Sequence, residues 1–190
     1  MKTTSIMIVG VGGQGTLLAS KLLGNVLLGA GYDVKLSEVH GMSQRGGSVV
    51  TYVRYGDKVY SPIVDQGEAD TILSFEILES ARWISYLKKG GRLITNTQKT
   101  WPMPVVTGAM AYPEGIAEKL SEKADVVAVD ALALAQQAGS PKAVNVVLIG
   151  ILSRYMDIPE AAWQKAIDET VPAKFLELNK KAFALGREAQ

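Results

Sequence analysis

The sequence predicts an α/β protein, doubly wound around a mostly parallel sheet, with an inserted β-hairpin and a helical C-terminal third. Three observations carry that prediction. The apolar run Ile6-Met7-Ile8-Val9 enters the glycine turn Gly10-Val11-Gly12-Gly13-Gln14-Gly15 and then a helical period. Strand and helix periods alternate along the first two thirds of the chain. Residues 130–190 carry helical periods alone. With 47% hydrophobic content over 190 residues the chain can bury one core, so residues 1–190 are expected to form one domain.

Each element has its own signal. Leu17, Leu18, Leu22, Leu23, Val26 and Leu27 recur at helical spacing, and Gly29-Ala30-Gly31 supplies a stop, predicting a helix over 14–30. Residues 34–39 alternate as a second strand, expected to join the first through a right-handed crossover in a parallel pair. The glycine-rich stretch 40–47 has no hydrophobic period and is a loop. Residues 48–55 and 58–64 are β-rich and flank Gly56-Asp57, which predicts the hairpin. A strand over 69–75, a helix over 76–89 ending at Gly90-Gly91, and a strand over 92–96 follow. Trp101-Pro102-Met103-Pro104 forbids regular structure locally, a short helix begins at Tyr112-Pro113-Glu114, and 125–129 is a further strand. Helices over 131–138, 143–155, 160–170 and 173–186 close the chain, with Pro141, Pro159 and Pro172 where helices begin. No polar linker precedes them, so they are expected to cover the sheet and one edge.

Composition excludes several functions. Twenty basic against nineteen acidic residues leave a net charge of +1, so no global field draws nucleic acid or an acidic membrane. The apolar run after Met1-Lys2-Thr3-Thr4-Ser5 is too short for a signal peptide and no run spans a membrane, which predicts a cytoplasmic protein. The chain has no cysteine, which removes thiol nucleophiles, thiolate zinc and any self-ligated iron–sulfur cluster.

Gly10-x-Gly12-x-x-Gly15 fits the dinucleotide fingerprint, and Glu38 stands where the ribose-binding acid would end the second strand. Yet Glu38 leads into a loop and a hairpin, and Gln14 puts an amide where the pyrophosphate passes. Three readings therefore stay open: a dinucleotide, a turn used only for packing, and a phosphate-bearing ligand or partner contact of another kind. His40 is the single histidine, and Ser43, Gln44 and Arg45 add donors and a guanidinium fork suited to carboxylate or phosphate. Gly46-Gly47 lets that loop approach a ligand closely, against the plainer reading that His40 and Arg45 brace a surface loop. Asn145 is better read as capping or packing than as a crevice residue. Glu38, Asp65, Glu68 and Asp70 are not spaced as a metal set, and Trp83, Trp101 and Trp163 read as core or interface. No nucleophile elbow, zinc-binding helix or phosphate loop is present, so the chain lacks a self-sufficient catalytic set.

The glycine turn, with Glu38-Val39-His40-Gly41-Met42-Ser43-Gln44-Arg45-Gly46-Gly47-Ser48-Val49, resembles the gamma domain of 2-oxoacid:ferredoxin oxidoreductases. The resemblance continues through Phe75-Glu76, the stretch 89–96, the stretch 145–150 and the closing helix, nearly the whole chain. Within the family, the free-standing size and the form of the loop are most similar to the beta subunits of the indolepyruvate type. Gamma subunits acting on pyruvate, 2-oxoglutarate or branched-chain 2-oxoacids are the alternative.

The resemblance implies a Rossmann-like fold and a part in oxidative decarboxylation: a 2-oxoacid, coenzyme A and oxidised ferredoxin become an acyl-coenzyme A, carbon dioxide and reduced ferredoxin. It implies thiamine diphosphate and iron–sulfur clusters in a larger partner subunit, with ferredoxin reached through that subunit. On this reading Gly10, Gly12, Gly13, Gln14, Gly15, His40, Ser43, Gln44, Arg45, Gly46 and Gly47 face the partner or the coenzyme A phosphates. Arg45 would supply charge-assisted hydrogen bonds, Gln14 an amide contact, and His40 support. An isolated chain could bury its docking surface as a homodimer. The competing readings are a free-standing NAD(P)- or flavin-binding oxidoreductase and a purely structural interaction protein.

Overall fold

The structure, a computed structural model, describes residues 2–41 and 46–189. Strands β1 (Thr4–Val11), β2 (Asp33–His40), β3 (Ser48–Gly56), β4 (Ala69–Ser74), β5 (Leu87–Asn96) and β6 (Asp125–Val129) form one sheet in the order β2-β3-β1-β4-β5-β6. β4, β5 and β6 extend in parallel from β1, while β3 runs antiparallel to both β1 and β2. The helices are α1 (Thr16–Gly29), α2 (Ile77–Trp83), α3 (Met103–Val106), α4 (Ile116–Ser121), α5 (Ala131–Ala138), α6 (Val144–Ser153), α7 (Glu160–Thr170) and α8 (Leu176–Glu188). The doubly wound, mostly parallel sheet and the helical C-terminal third are as the sequence predicts.

The hairpin is built from other strands than expected. β2 and β3 pair along their full length, from Asp33 opposite Gly56 to His40 opposite Val49. β3 lies between β2 and β1, so β1 and β2 share a direction but are not neighbours, and the expected parallel pair is absent. With both edges of β3 taken, residues 58–64 have no strand to join, and they run as irregular chain. Side chains hold them instead: Asp33 accepts from the Val59 N–H at 2.9 Å, and Arg54 donates to the Ile63 carbonyl at 2.7 Å.

Two further boundaries move. The expected helix over 76–89 ends at Trp83, turns once as a 3-10 helix over Ile84–Tyr86, and gives way to β5 at Leu87. Gly90-Gly91 marks a bulge in β5 rather than a helix stop: the pairing jumps from Ala69 opposite Leu87 to Thr71 opposite Arg92. A Cβ on Gly91 would come within 3.0 Å of the Asp70 carbonyl, so the bulge needs that glycine. Pro102 does not forbid structure but starts the single turn α3, where its missing N–H costs nothing.

Alternation along β1 divides the interior. Ile6 and Ile8 face a large core with Leu22, Leu23, Leu27, Trp163 and Phe183 under α1, α5, α6, α7 and α8. Met7 and Val9 face a smaller core with Val50, Ile72, Leu93, Ile116 and Leu120 under α2 and α4. Every residue of α6 is buried, which makes it the central helix of the thicker layer. Trp163 is fully buried and stacks on Phe183 at 5.9 Å, Trp83 is half-buried against Tyr86, and Trp101 is exposed. No helix among the described residues is long and apolar enough to cross a membrane.

Candidate functional site

The carboxyl ends of β1, β2, β4, β5 and β6 share one edge of the sheet, where doubly wound folds bind ligands. The glycine turn sits there between β1 and α1. Gly15 is left-handed at φ +85° and forms the N-cap of α1; a Cβ on it would lie 2.7 Å from the Asn145 amide nitrogen. A Cβ on Gly10 would lie 2.9 Å from both Gln14 Oε1 and Phe75 Cβ. Gly13, at φ +98°, would meet nothing within 4 Å, so it is needed for its backbone angle and leaves an open face.

Gln14 folds back over the turn. Its Oε1 accepts from the Val11 N–H at 2.8 Å, and its Nε2 donates to the Phe75 carbonyl at 3.4 Å. Both ends of the amide, expected to reach outward, are engaged within the chain. Asn145 does what packing requires: buried in the first turn of α6, it donates to the Gly15 carbonyl at 3.3 Å and accepts from the Val146 N–H at 2.9 Å. The start of α1 is different. Its N-cap, Gly15, supplies no side-chain cap and its first turn holds no acid, the kind of helix start that favours an anion.

Two cavities flank the turn. One, of about 800 Å³, is lined by Val11, Gly12, Gly13, Gln14, Gly15 and Gly46 on one side and by Gln98, Thr100, Leu132, Pro141, Lys142 and Val144 on the other. Among the described residues that line it, Lys142 is the one charged side chain. The second, of about 460 Å³, lies between the turn, Thr16, Leu17, Val49, Glu38 and His40. There His40 Nδ1 stands 3.3 Å from Glu38 Oε1, and Glu38 Oε2 accepts from the Thr51 hydroxyl at 3.4 Å. The two cavities thus differ in charge: Lys142 lines the first, and the Glu38–His40 pair lines the second.

The structure thus brings Gly12, Gly13 and Gly15 together with His40, and ties Gly46-Gly47 to the same turn. The Gly12 N–H donates to the Gly47 carbonyl at 2.8 Å, and the Gly46 N–H to the Gly12 carbonyl at 3.4 Å. Ser43, Gln44 and Arg45 lie outside the described residues. Sequence reasoning missed Lys142, Gln98 and Thr100, which reach the cavity from two distant connections. It also missed Asn96, fully buried, which donates to the same Phe75 carbonyl as Gln14 and accepts from the Ala131 N–H at 3.2 Å. Among the described residues no group of three or more potential ligands could hold a metal ion.

A six-stranded mixed sheet, a glycine turn closed by its own glutamine and a cavity at the carboxyl ends of the strands define a doubly wound α/β protein with its crevice at the glycine turn. The family model for pyruvate ferredoxin/flavodoxin oxidoreductase matches residues 5–189, and the chain belongs to that family. It is 48% identical to indolepyruvate oxidoreductase subunit IorB of Pyrococcus horikoshii, over 100% of this chain and 96% of that one. Pyruvate oxidoreductase subunit PORC of Thermotoga maritima superimposes with a TM-score of 0.74 at 25% identity, over 99% of this chain and 97% of that one. The fold also recurs, with a TM-score of 0.76 at 18% identity, in 2-oxoglutarate:ferredoxin oxidoreductase of Magnetococcus marinus, solved with 2-oxoglutarate, coenzyme A and succinyl-CoA bound. That match covers 99% of this chain but 31% of the other, so there the fold is one part of a longer chain.

Proposed function

We propose that this chain is the smaller subunit of a cytoplasmic indolepyruvate ferredoxin oxidoreductase, which oxidatively decarboxylates an aryl 2-oxoacid with coenzyme A to an acyl-coenzyme A, carbon dioxide and reduced ferredoxin. The observation that carries this reading is the end-to-end identity of 48% with a subunit named for indolepyruvate. A chain without cysteine cannot ligate an iron–sulfur cluster through thiolates, which supports placing the clusters in the larger subunit, and the family resemblance places thiamine diphosphate there with them. There they supply the carbanion and electron chemistry.

This chain's residues bind and orient coenzyme A. The 800 Å³ cavity suits its phosphates: the N–H groups at the start of α1 and the Lys142 ammonium point positive charge at a space with no carboxylate among its described lining residues. Arg45, which lies outside the described residues, is the second cation that the sequence offers for these phosphates. Gln14 acts as a positioning residue, holding the turn in shape through Val11 and Phe75. His40, paired with Glu38, stands on the far side of the turn, facing the partner.

The test is reconstitution with the larger subunit and assay of ferredoxin reduction with indolepyruvate, pyruvate, 2-oxoglutarate and a branched-chain 2-oxoacid. Indolepyruvate is expected to give the highest kcat/KM. Lys142→Ala and Arg45→Ala are each expected to raise the KM for coenzyme A about tenfold with little change in kcat, the loss of one charge-assisted contact. Unchanged KM in both variants would remove coenzyme A from this cavity. Hydride transfer or a bound flavin in the purified chain alone would replace the subunit reading with a free-standing enzyme.

A further inference from the structure

The connection from Thr100 to Tyr112 turns its apolar side chains to water. Trp101, Met103, Val106 and Met110 are 62%, 69%, 60% and 65% exposed, and no charged residue lies between Lys99 and Glu114. No residue of α3, at its centre, is buried. Yet the segment is ordered by its own bonds. The Val105 and Val106 N–H groups donate to the Pro102 carbonyl at 2.9 and 3.1 Å, Thr107 to Met103 at 2.9 Å, and Met110 to Pro104 at 3.0 Å.

A single buried carboxylate pins both feet of this loop. Glu76, only 1% exposed, accepts through Oε1 from the Thr100 N–H at 2.9 Å and the Tyr112 hydroxyl at 3.0 Å. Its Oε2 accepts from the Glu79 N–H at 2.9 Å and so caps α2. The loop is therefore a closed Ω-type structure, but with its large side chains outside rather than packed within. Holding apolar groups rigid in water gives the free chain nothing; it prepares them for a receptor, because the ordering cost is met before binding.

We propose that the 100–112 loop is the arm by which this chain docks on the larger, thiamine diphosphate and iron–sulfur subunit, entering an uncharged apolar groove there. The inference rests on the subunit reading above. Its position supports it: Thr100, a foot of the arm, and Gln98 line the 800 Å³ cavity, so a partner gripping the arm closes the mouth of that cavity. The apolar groove on a second copy of the chain is a poor seat for the arm. It lies between α2 and α4, is about 220 Å³, too small for four large side chains, and Glu114, Lys119 and Lys123 line it.

The test is the affinity of the full chain for the larger subunit, measured by analytical ultracentrifugation, with ferredoxin reduction as the second readout. A triple variant, Trp101→Ser, Met103→Ser and Val106→Ser, is expected to weaken association at least 100-fold, leave the thermal midpoint of the free chain unchanged, and regain wild-type turnover at saturating concentration. Met110→Ser alone is expected to weaken association less, about tenfold. Leu28→Ser, an equally exposed apolar position on α1, is the control and should associate as wild type. Wild-type affinity in the triple variant, or equal losses with Leu28→Ser, overturns the proposal. So does a homodimer that the triple variant dissolves while the mixed complex persists, which assigns the arm to self-association. If the wild-type chain does not bind the larger subunit at all, the subunit reading fails first and the arm with it.

Discussion

The two faces of the sheet are held by different physics. Over the thicker face, shape decides: α6 is buried at every residue and α8 lies against it with backbones in direct contact at Gly150 and Gly186. Over the thinner face, covered by α2 and α4, buried acids decide. Glu76 gathers three donors, and Glu79 accepts from the Ser48 hydroxyl at 2.5 Å while pairing with Arg82 at 3.1 Å. A face closed by shape has no spare surface. A face closed by a few carboxylates can project a loop and still be stable, and the docking arm stands on that side.

If this contrast holds, the largest effect comes from adding one methyl group to the thicker face. A Cβ on Gly186 would lie 2.1 Å from the Val147 carbonyl oxygen, and one on Gly150 would lie 2.3 Å from that of Phe183. Both obstacles are helix backbone, so the helices must separate. Gly186→Ala is expected to cost more than about 3 kcal/mol in urea unfolding, at or beyond the top of the usual overpacking range. A cost under about 1 kcal/mol would mean that α6 and α8 slide freely and that shape does not govern this face.

The corresponding break on the thinner face is Glu76→Ala. It strands the Thr100 and Glu79 N–H groups and the Tyr112 hydroxyl at once, for an expected loss of about 2–3 kcal/mol. Glu76→Gln keeps an acceptor oxygen and should lose about 1 kcal/mol. The arm gives a sharper readout: hydrogen exchange over 100–112 should accelerate in the alanine variant, while α6 keeps its protection. Equal acceleration in both regions would show that the faces are not separately held.

Between the faces, at the glycine turn, a smaller effect is expected. Gly15→Ala forces a left-handed alanine and pushes its methyl group against Asn145, for about 1–2 kcal/mol. Because the start of α1 shifts with it, the KM for coenzyme A should rise more than in a variant of equal instability on the thicker face. Stability lost without a change in KM would mean that this turn only packs.

This turn was legible in the sequence because glycine leaves a signature that no other residue can replace. The fold class was legible for a related reason: buried parallel strands such as β1 read as unbroken apolar runs, and amphipathic helices repeat their period. The partner of β3 was not legible. Residues 58–64 have strand composition, but whether they pair depends on which edge of β3 is free, a fact of topology and not of local propensity. Gly90-Gly91 looked like a helix stop because a bulge and a C-cap ask for the same residue. At the site, Lys142 and Thr100 escaped notice because nothing near either in sequence distinguishes them; only the ends of β5 and α5 bring them to the turn. Glu76 is the clearest case. The sequence makes it the first residue of an amphipathic helix, and its three donors come from residues 3, 24 and 36 positions away.

The smallest expected effect isolates one of those donors and is read as a pH dependence. Burial, and then the hydrogen bond to Glu76, push the Tyr112 hydroxyl above the ordinary tyrosine range. A group whose pKa is raised by folding holds its proton more tightly in the folded state. Its contribution is therefore complete below the unfolded value, about 10, and is lost as the pH climbs through the folded one. Tyr112→Phe should cost about 1 kcal/mol or less near neutrality, the loss of one hydrogen bond. Above about pH 10 the wild type should lose stability more steeply than the phenylalanine variant, so the two curves converge. They should not become flat, because burial also raises Tyr52 and Tyr55, which both proteins keep. Urea midpoints measured from pH 7 to pH 11 decide the matter. Parallel curves would mean that Glu76 holds the arm through Thr100 alone, and that the far foot at Tyr112 is free to open.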